Sequence, residues 1–494
     1  METESLALDP RVCERARRAR DPRFDGRFFI GVTSTRIYCR PVCPAPHAKR
    51  ANVRYFPSAA AAAEAGFRPC LRCRPEVAPG TPAWNGTSAT VSRGLKLIGA
   101  GALDDGSVDD LAARLGVSPR HLHRLFLQHL GASPIAVAQT RRLHFAKQLI
   151  SDTRLPMAQV ALASGFQSIR RFNDVMRALY GRTPSELRRL GRQTAARGAA
   201  SEYVFQLAYR PPYDWQALLE FLAPRCIPGV EEVRDGAYRR SFDFDNRQGL
   251  FEVRARPRAR SLEACIRFAD SSRLLQIVAR VRGMFDLAAD PAAVARQFRH
   301  DPLLAPCLRR HRGLRVPGAW DGFELAVRAV LGQQVTVRGA STLAGRLVQA
   351  YGEPLQVSGA GALTHMFPDA AVLARAHLTG LPQARVRCVR ALAQAVDEGA
   401  LRFNGAIADN VLLERFKNIS GIGDWTAQYV AMRAFNDPDA FPASDLGLLH
   451  AAAGESAALT PAALLRRAEA WRPWRAYAAM YLWSAAADAA ARKS

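Results

Sequence analysis

The chain has no uninterrupted apolar run of about 18 residues, the length a helix needs to cross a bilayer, so no membrane span is expected. Its beginning lacks the apolar core of a secretory signal. Glu2, Glu4 and Asp9 lead into a basic stretch instead, and no signal peptide is expected. Nor do the nine cysteines form an evenly spread disulfide framework. Four are clustered, while Cys13, Cys226, Cys265, Cys307 and Cys388 are scattered and are expected to be ordinary thiols, several of them buried. Acidic side chains are in short supply. Against 69 Lys and Arg stand 44 Asp and Glu, a net charge of +25. A polyanionic partner is the simple explanation. A soluble surface rich in arginine, with runs such as Arg17-Arg18, Arg141-Arg142 and Arg188-Arg189, accounts for the charge too.

What is present organises the 494 residues into several domains; 49% are hydrophobic, enough for folded cores throughout. Ala78 to Thr90 and Arg192 to Ala200 have linker composition. They separate a cysteine-rich head, a helical middle and a long C-terminal half. Alternating segments at Tyr203–Ala208, Ala237–Phe244, Leu250–Ala255 and Leu262–Phe268 predict an antiparallel sheet. Helical patterns lie at Asp214–Leu222 and Arg273–Phe285, and from about Phe323 onward the pattern is mostly helical. No fixed-period repeat appears beyond two helix-turn-helix-like units in the middle.

In the head, Cys39-Arg-Pro-Val-Cys43 and Cys70-Leu-Arg-Cys73 form two close pairs. Four thiolates in two local clips are what a tetrahedral Zn²⁺ site needs. Such a site supplies about 10 kcal/mol or more of folding energy, which suits a head with a small core. The residues Ile37-Tyr-Cys-Arg-Pro-Val-Cys43, His47-Ala-Lys-Arg-Ala-Asn-Val53 and Ala65-Gly-Phe-Arg-Pro-Cys-Leu-Arg-Cys73 resemble the N-terminal domain of the Ada family, over about residues 10–77. That resemblance makes Cys39 the acceptor of a methyl group from a methylated DNA phosphate, with Cys43, Cys70 and Cys73 as the other ligands. A purely structural zinc knob is the plainer alternative. Ada proteins usually carry a reactive Pro-Cys-His-Arg motif for O6-methylguanine. It is absent here, so repair of that lesion is not expected.

Val108–Leu115, Gly116 and Ser118–His129 predict helix, turn, helix, with Ser118 as N-cap and Pro119 at the first helical position. Met157–Ala163, Gly165 and Ser168–Tyr180 repeat the design, and a helix at about Ile135–Ser151 connects the two. Spacing of this kind also fits a plain helical bundle. The strings Ser118-Pro-Arg-His-Leu-His-Arg-Leu-Phe126, Ala163-Ser-Gly-Phe-Gln-Ser168 and Gly181-Arg-Thr-Pro184 are similar to the AraC-type DNA-binding domain. The resemblance implies two recognition helices. One offers Arg120, His121, His123 and Arg124 to DNA, the other Ser168, Arg170, Arg171 and Asn173.

In the C-terminal half, Ile419-Ser-Gly-Ile-Gly-Asp-Trp-Thr-Ala427 predicts two helices joined by a Gly421-x-Gly423 hairpin whose backbone N–H groups face a DNA phosphate. Phe441-Pro-Ala-Ser-Asp445 follows. Together they resemble the helix-hairpin-helix DNA glycosylase superfamily. Pro211-Pro-Tyr-Asp-Trp215, Val327-Arg-Ala-Val-Leu-Gly-Gln333 and Trp471-Arg-Pro-Trp-Arg475 extend the likeness to 3-methyladenine DNA glycosylase II, the AlkA type, over about residues 203–487. The resemblance implies Asp445 as the catalytic carboxylate, stabilising the oxocarbenium charge on the sugar. It also implies a flipped base held by Trp425, Tyr429, Trp483 and Gln333. Taken alone, Asp445 would be an N-cap of the next helix. Where lyase relatives carry a lysine, this chain has Trp425, which predicts hydrolysis without a Schiff base. Gln334 replaces the family's apolar wedge, and Asp424 replaces a basic hairpin residue.

The expected fold is multidomain α+β: a zinc domain over 1–80, an all-α AraC-type double helix-turn-helix over 88–191, a small antiparallel α+β domain over 201–288 and an all-α helix-hairpin-helix domain over 289–494. The expected partner is double-stranded DNA, met at alkylated bases, methylated phosphates and promoter sites, with RNA polymerase as a further candidate. A monomer in the bacterial cytoplasm, associated with the nucleoid, is the default. Two alternatives stand beside the full fusion: a regulator whose glycosylase half only binds DNA, and a glycosylase whose head is a structural zinc module.

Overall fold

The computed structural model describes residues 9–79, 89–104, 106–190, 201–403, 409–453 and 459–491. Both predicted linkers fall largely outside them. Two units emerge. The first comprises Met1–Pro211, Arg256–Arg282 and Leu287–Asp290; the second comprises Pro212–Ala255, Gly283–Asp286 and Pro291–Ser494.

The first unit opens on the helix Pro10–Arg18, capped by Asp9 with Pro at its first position. Strands Phe29–Val32, Ile37–Cys39, Val53–Phe56 and Arg68–Pro69 make a four-stranded sheet in the order third, first, second, fourth. The register pairs Ile30 with Cys39 and Tyr38 with Pro69, which brings the two cysteine clips side by side. The alanine-rich helix Ala59–Glu64 packs small faces against Phe29, Tyr38, Phe56 and Phe67. Gly31 is needed in this core, since a Cβ there would lie 2.6 Å from the Phe56 ring.

The predicted helix-turn-helix pair is present. Helices Val108–Leu115 and Pro119–Leu130, then Met157–Ala163 and Ile169–Tyr180, flank the connecting helix Pro134–Asp152. Each second helix buries the same i, i+4, i+8 stripe, Leu122, Phe126 and Leu130 in one and Phe172, Met176 and Tyr180 in the other. Each is N-capped by serine, Ser118 or Ser168, and ends on a left-handed glycine, Gly131 or Gly181. Strands Glu202–Ala208 and Ser261–Phe268, also in this unit, pair antiparallel.

The second unit holds the antiparallel strands Glu231–Arg234, Ala237–Asp243 and Gln248–Arg256. The first of these was not among the sequence expectations. Its signal was nonetheless present: Asp235 and Gly236, at φ 52° and 70°, form the two-residue turn with positive φ that favours Asp-Gly. Among the described residues, the remaining regular elements of this unit are helical, as predicted. A buried ion cluster ties the strands to the helix Gly322–Leu331. Arg240 pairs with Glu324 at 2.6 Å, and Arg328 pairs with Glu231 at 3.0 Å. Removing one partner would leave a buried charge uncompensated, so the cluster fixes the helix that leads into Gln333 and Gln334.

Candidate functional site

The four clustered cysteines converge. Their sulfurs all lie within 4.8 Å of one another; Cys43, Cys70 and Cys73 are buried, and Cys39 is half-buried. None is in a disulfide. Four thiols gathered without bonding one another fit a single zinc ion, the site that the spacing predicted. Around them, Arg40 is fixed by Asp25 and donates its backbone N–H to Cys73 Sγ at 3.3 Å. Its guanidinium also donates to the Cys73 carbonyl. Cys39 is thus the sulfur most open to a large substrate. Its neighbour Tyr38 shares a 2.8 Å hydrogen bond with Nε2 of His144, on the connecting helix. Burial holds that imidazole down at about 4, so it is neutral at pH 7.

On the helix-turn-helix pair, Arg120, His123 and Arg124 are exposed and His121 is half-buried; Arg124 donates to His121 Nδ1 at 2.9 Å. Ser168, Arg170, Arg171 and Asn173 are all exposed. Ser168 spends its hydroxyl as cap, accepting from the Arg171 N–H.

The hairpin joins helices Asp409–Lys417 and Asp424–Ala434. Gly421 sits at φ +93°, and a Cβ there would lie 3.1 Å from Cys388. Gly423 has no such conformational need, and a Cβ on it would meet nothing within 4 Å. The space in front of it is open to an approaching phosphate. Asp424 at the helix start pairs with Lys417 at 3.0 Å. Gln333 donates to the Gly421 carbonyl at 2.9 Å and to Thr426 Oγ1 at 3.1 Å, so its amide braces the hairpin. Gln334 is exposed and left-handed at φ 57°.

Asp445 receives three donors. Trp425 Nε1 donates to Oδ2 at 2.9 Å; Trp483 Nε1 and the Leu448 N–H donate to Oδ1 at 2.9 and 3.0 Å. The Leu448 bond is the helix cap expected of Asp445 taken alone. Cap and site coincide. A carboxylate offers about four acceptor positions, so among the described residues one remains open on Oδ2. Gly447 leaves room for this packing: its Cβ would lie 3.1 Å from Oδ1 and 3.5 Å from the Trp483 ring.

The aromatic group predicted from the sequence is gathered around this carboxylate. Trp425 and Tyr429 stack at 5.3 Å, 9° from parallel, and Tyr429 meets Trp483 edge-on at 6.4 Å. Sequence reasoning missed three neighbours. Phe221 tilts against Trp483 at 6.0 Å, Arg225 lies 3.7 Å over the Phe221 ring, and Arg433 donates to Tyr429 Oη at 2.7 Å. Arg433 was legible as the i+4 neighbour of Tyr429. Phe221 and Arg225 come from a distant stretch of chain and carried no signal. Trp471, part of the matched string, is buried and donates to Asp301 at 2.7 Å, a role in the core.

Comparison with known proteins finds matches in three regions of the chain. Family models match the metal binding domain of Ada at residues 12–76, a helix-turn-helix domain at 111–190 and the AlkA N-terminal domain at 204–321. The chain is 42% identical over 478 residues to a protein of Mycobacterium tuberculosis described as a probable bifunctional transcriptional activator/DNA repair enzyme AlkA, covering 96% of this chain and 95% of that one. It is 32% identical over 285 residues to the DNA-3-methyladenine glycosylase 2 of Escherichia coli, covering 57% of this chain and 96% of that protein. The bifunctional transcriptional activator/DNA repair enzyme Ada of the same organism matches at 34% over 188 residues, 37% of this chain and 50% of its own length. The chain belongs to the AlkA family of bifunctional transcriptional activator and DNA repair enzymes.

Proposed function

We propose that the protein removes alkylated bases of the 3-methyladenine type from DNA by hydrolysis, and that its N-terminal half senses methylated phosphates and regulates transcription. The observation that carries the first part is the Asp445 carboxylate, held by two indoles and a helix N-terminus, with one acceptor position open on Oδ2. Cleaving an N-glycosidic bond places positive charge on the deoxyribose. A fixed carboxylate beside it stabilises that charge and orients water. The hairpin glycines hold the backbone to phosphate, and Trp425, Tyr429 and Trp483 receive the base once it leaves the stack. No amine stands at position 425, which supports a monofunctional reaction ending at an abasic site. Strand incision by the purified protein would contradict this.

In the zinc head, bound metal keeps the sulfurs as thiolates at neutral pH. The Cys39 sulfur attacks the methyl carbon of a phosphotriester; the S–C bond forms as the C–O bond breaks, and a phosphodiester leaves. The half-buried position of Cys39 beside three buried sulfurs supports it as the acceptor. Methylation removes one negative charge from the cluster, so affinity for DNA phosphates rises. The exposed residues of the two recognition helices then bind promoter DNA, with RNA polymerase as the partner this function would need.

The deciding experiment is base release from methylated duplex DNA by the wild type and by Asp445→Asn, with products resolved. Release of 3-methyladenine by the wild type alone is expected. If neither releases a base while Cys39 still takes up methyl groups, the C-terminal half is a binding module and the protein a regulator only.

A further inference from the structure

Tyr429 is more than a stacking surface. Arg433 Nη1 donates to its oxygen at 2.7 Å, and the positive charge of Arg225 acts on the same phenol. A guanidinium only donates, so Tyr429 Oη is the acceptor of the Arg433 bond. Its own O–H proton then has no acceptor among the described residues. Arg433 cannot turn away to release the phenol, because its Nε donates to the Pro317 carbonyl at 2.9 Å and its Nη2 to the Gly318 carbonyl at 3.3 Å. Trp425 covers one face of the ring. A base slid between the two would need roughly 7 Å, two carbon contact distances, against the 5.3 Å present. A flipped base therefore meets Tyr429 from its other side or its hydroxyl edge.

We propose that Tyr429 donates its phenolic hydrogen to the departing base, and that this step selectively serves bases that carry no positive charge. This rests on the glycosylase reading above. A cationic alkylated purine leaves as a neutral molecule and needs no proton. An uncharged purine such as hypoxanthine would leave as an anion. For it, the C1′–N bond breaks with its electron pair going to the base, and the Tyr429 O–H passes its proton to a ring nitrogen. Water adds its oxygen to C1′ beside Asp445 and gives up its proton to solvent. The phenolate left behind faces Arg433 and Arg225 until solvent returns a proton. Burial by itself would make this phenol a weaker acid, but Arg433 and Arg225 outweigh it and lower its pKa below the usual tyrosine value. Arg433 is here a positioning residue.

The test is single-turnover base release from two duplexes, one with hypoxanthine and one with 7-methylguanine, by the wild type and Tyr429→Phe. The variant keeps the ring and its stack. General acid catalysis is worth about 10²- to 10⁴-fold, so hypoxanthine release is expected to fall by that factor beyond whatever loss 7-methylguanine release shows from the altered pocket. An equal loss on both substrates overturns the proposal and makes Tyr429 a packing residue. So does no loss on either, or a wild type that releases 7-methylguanine but never hypoxanthine. A wild type that releases neither base defeats the glycosylase reading itself.

Discussion

The indole nitrogen of Trp483 donates to Oδ1 of Asp445 at 2.9 Å, from the C-terminal helix Arg475–Ala491 to the carboxylate that opens the helix Leu446–Ala453. Together with the Trp425 bond to Oδ2, it holds both carboxylate oxygens. Trp483→Phe keeps an aromatic ring, though a smaller one, and deletes the donor. A hydrogen bond to a charged group contributes about 1.5–3 kcal/mol, so base release is expected to slow roughly 10- to 100-fold. The same lost bond should lower the melting temperature by roughly a few degrees, so rates are compared well below it. An unchanged rate would mean that Trp425 and the helix cap position the carboxylate without it.

The two hairpin glycines should respond differently to alanine. Gly421→Ala forces a left-handed alanine against Cys388, at a cost of about 1–2 kcal/mol. Gly423→Ala meets open space, so stability should hold while affinity for duplex DNA drops. Thermal melts and DNA titrations on both variants separate the effects. Equal affinity for Gly423→Ala and wild type would show that DNA does not approach there.

Asp424 neutralises Lys417 at the hairpin. Asp424→Asn frees that cation for a phosphate, and the slope of log affinity against log salt should steepen by about 0.9, the value for one added contact. Titrations of undamaged duplex across a salt series measure it. An unchanged slope would place Lys417 outside the DNA footprint.

Asp286 gives the second unit a defined pH dependence. Burial raises its carboxyl to about 6, although it accepts from Tyr477 Oη at 2.6 Å and lies near Arg315. The folded value is above the unfolded one, so its contribution to stability is complete below about pH 4 and is lost as pH rises through about 6. The loss amounts to about 3 kcal/mol at most. Asp286→Asn lacks this titration, so relative to wild type it should be more stable at pH 7 than at pH 4.5. Denaturant melts at both pH values check this; a constant difference would refute it.

Much of the protein was legible from local pattern. The cysteine clips, the serine caps with their glycine stops, and the hairpin glycines are short-range signals, because each device needs its residues within one turn or loop. The strand Glu231–Arg234 escaped because an edge strand of four residues shows little alternation, although its Asp-Gly turn was visible.

The sequence by itself determined which chemistry is present: four thiols at zinc spacing, two repeated helix-turn-helix units, a Gly-x-Gly hairpin followed by an aspartate. Only the tertiary structure decided how those groups are tuned. That Asp445 is both cap and indole-bound carboxylate, that Gln333 braces the hairpin, and that Arg225 and Arg433 converge on Tyr429 all depend on residues far apart in the chain. Hydrogen bonds and charge effects act over a few ångströms of space, and no pattern along the chain records which distant side chains folding brings within that range.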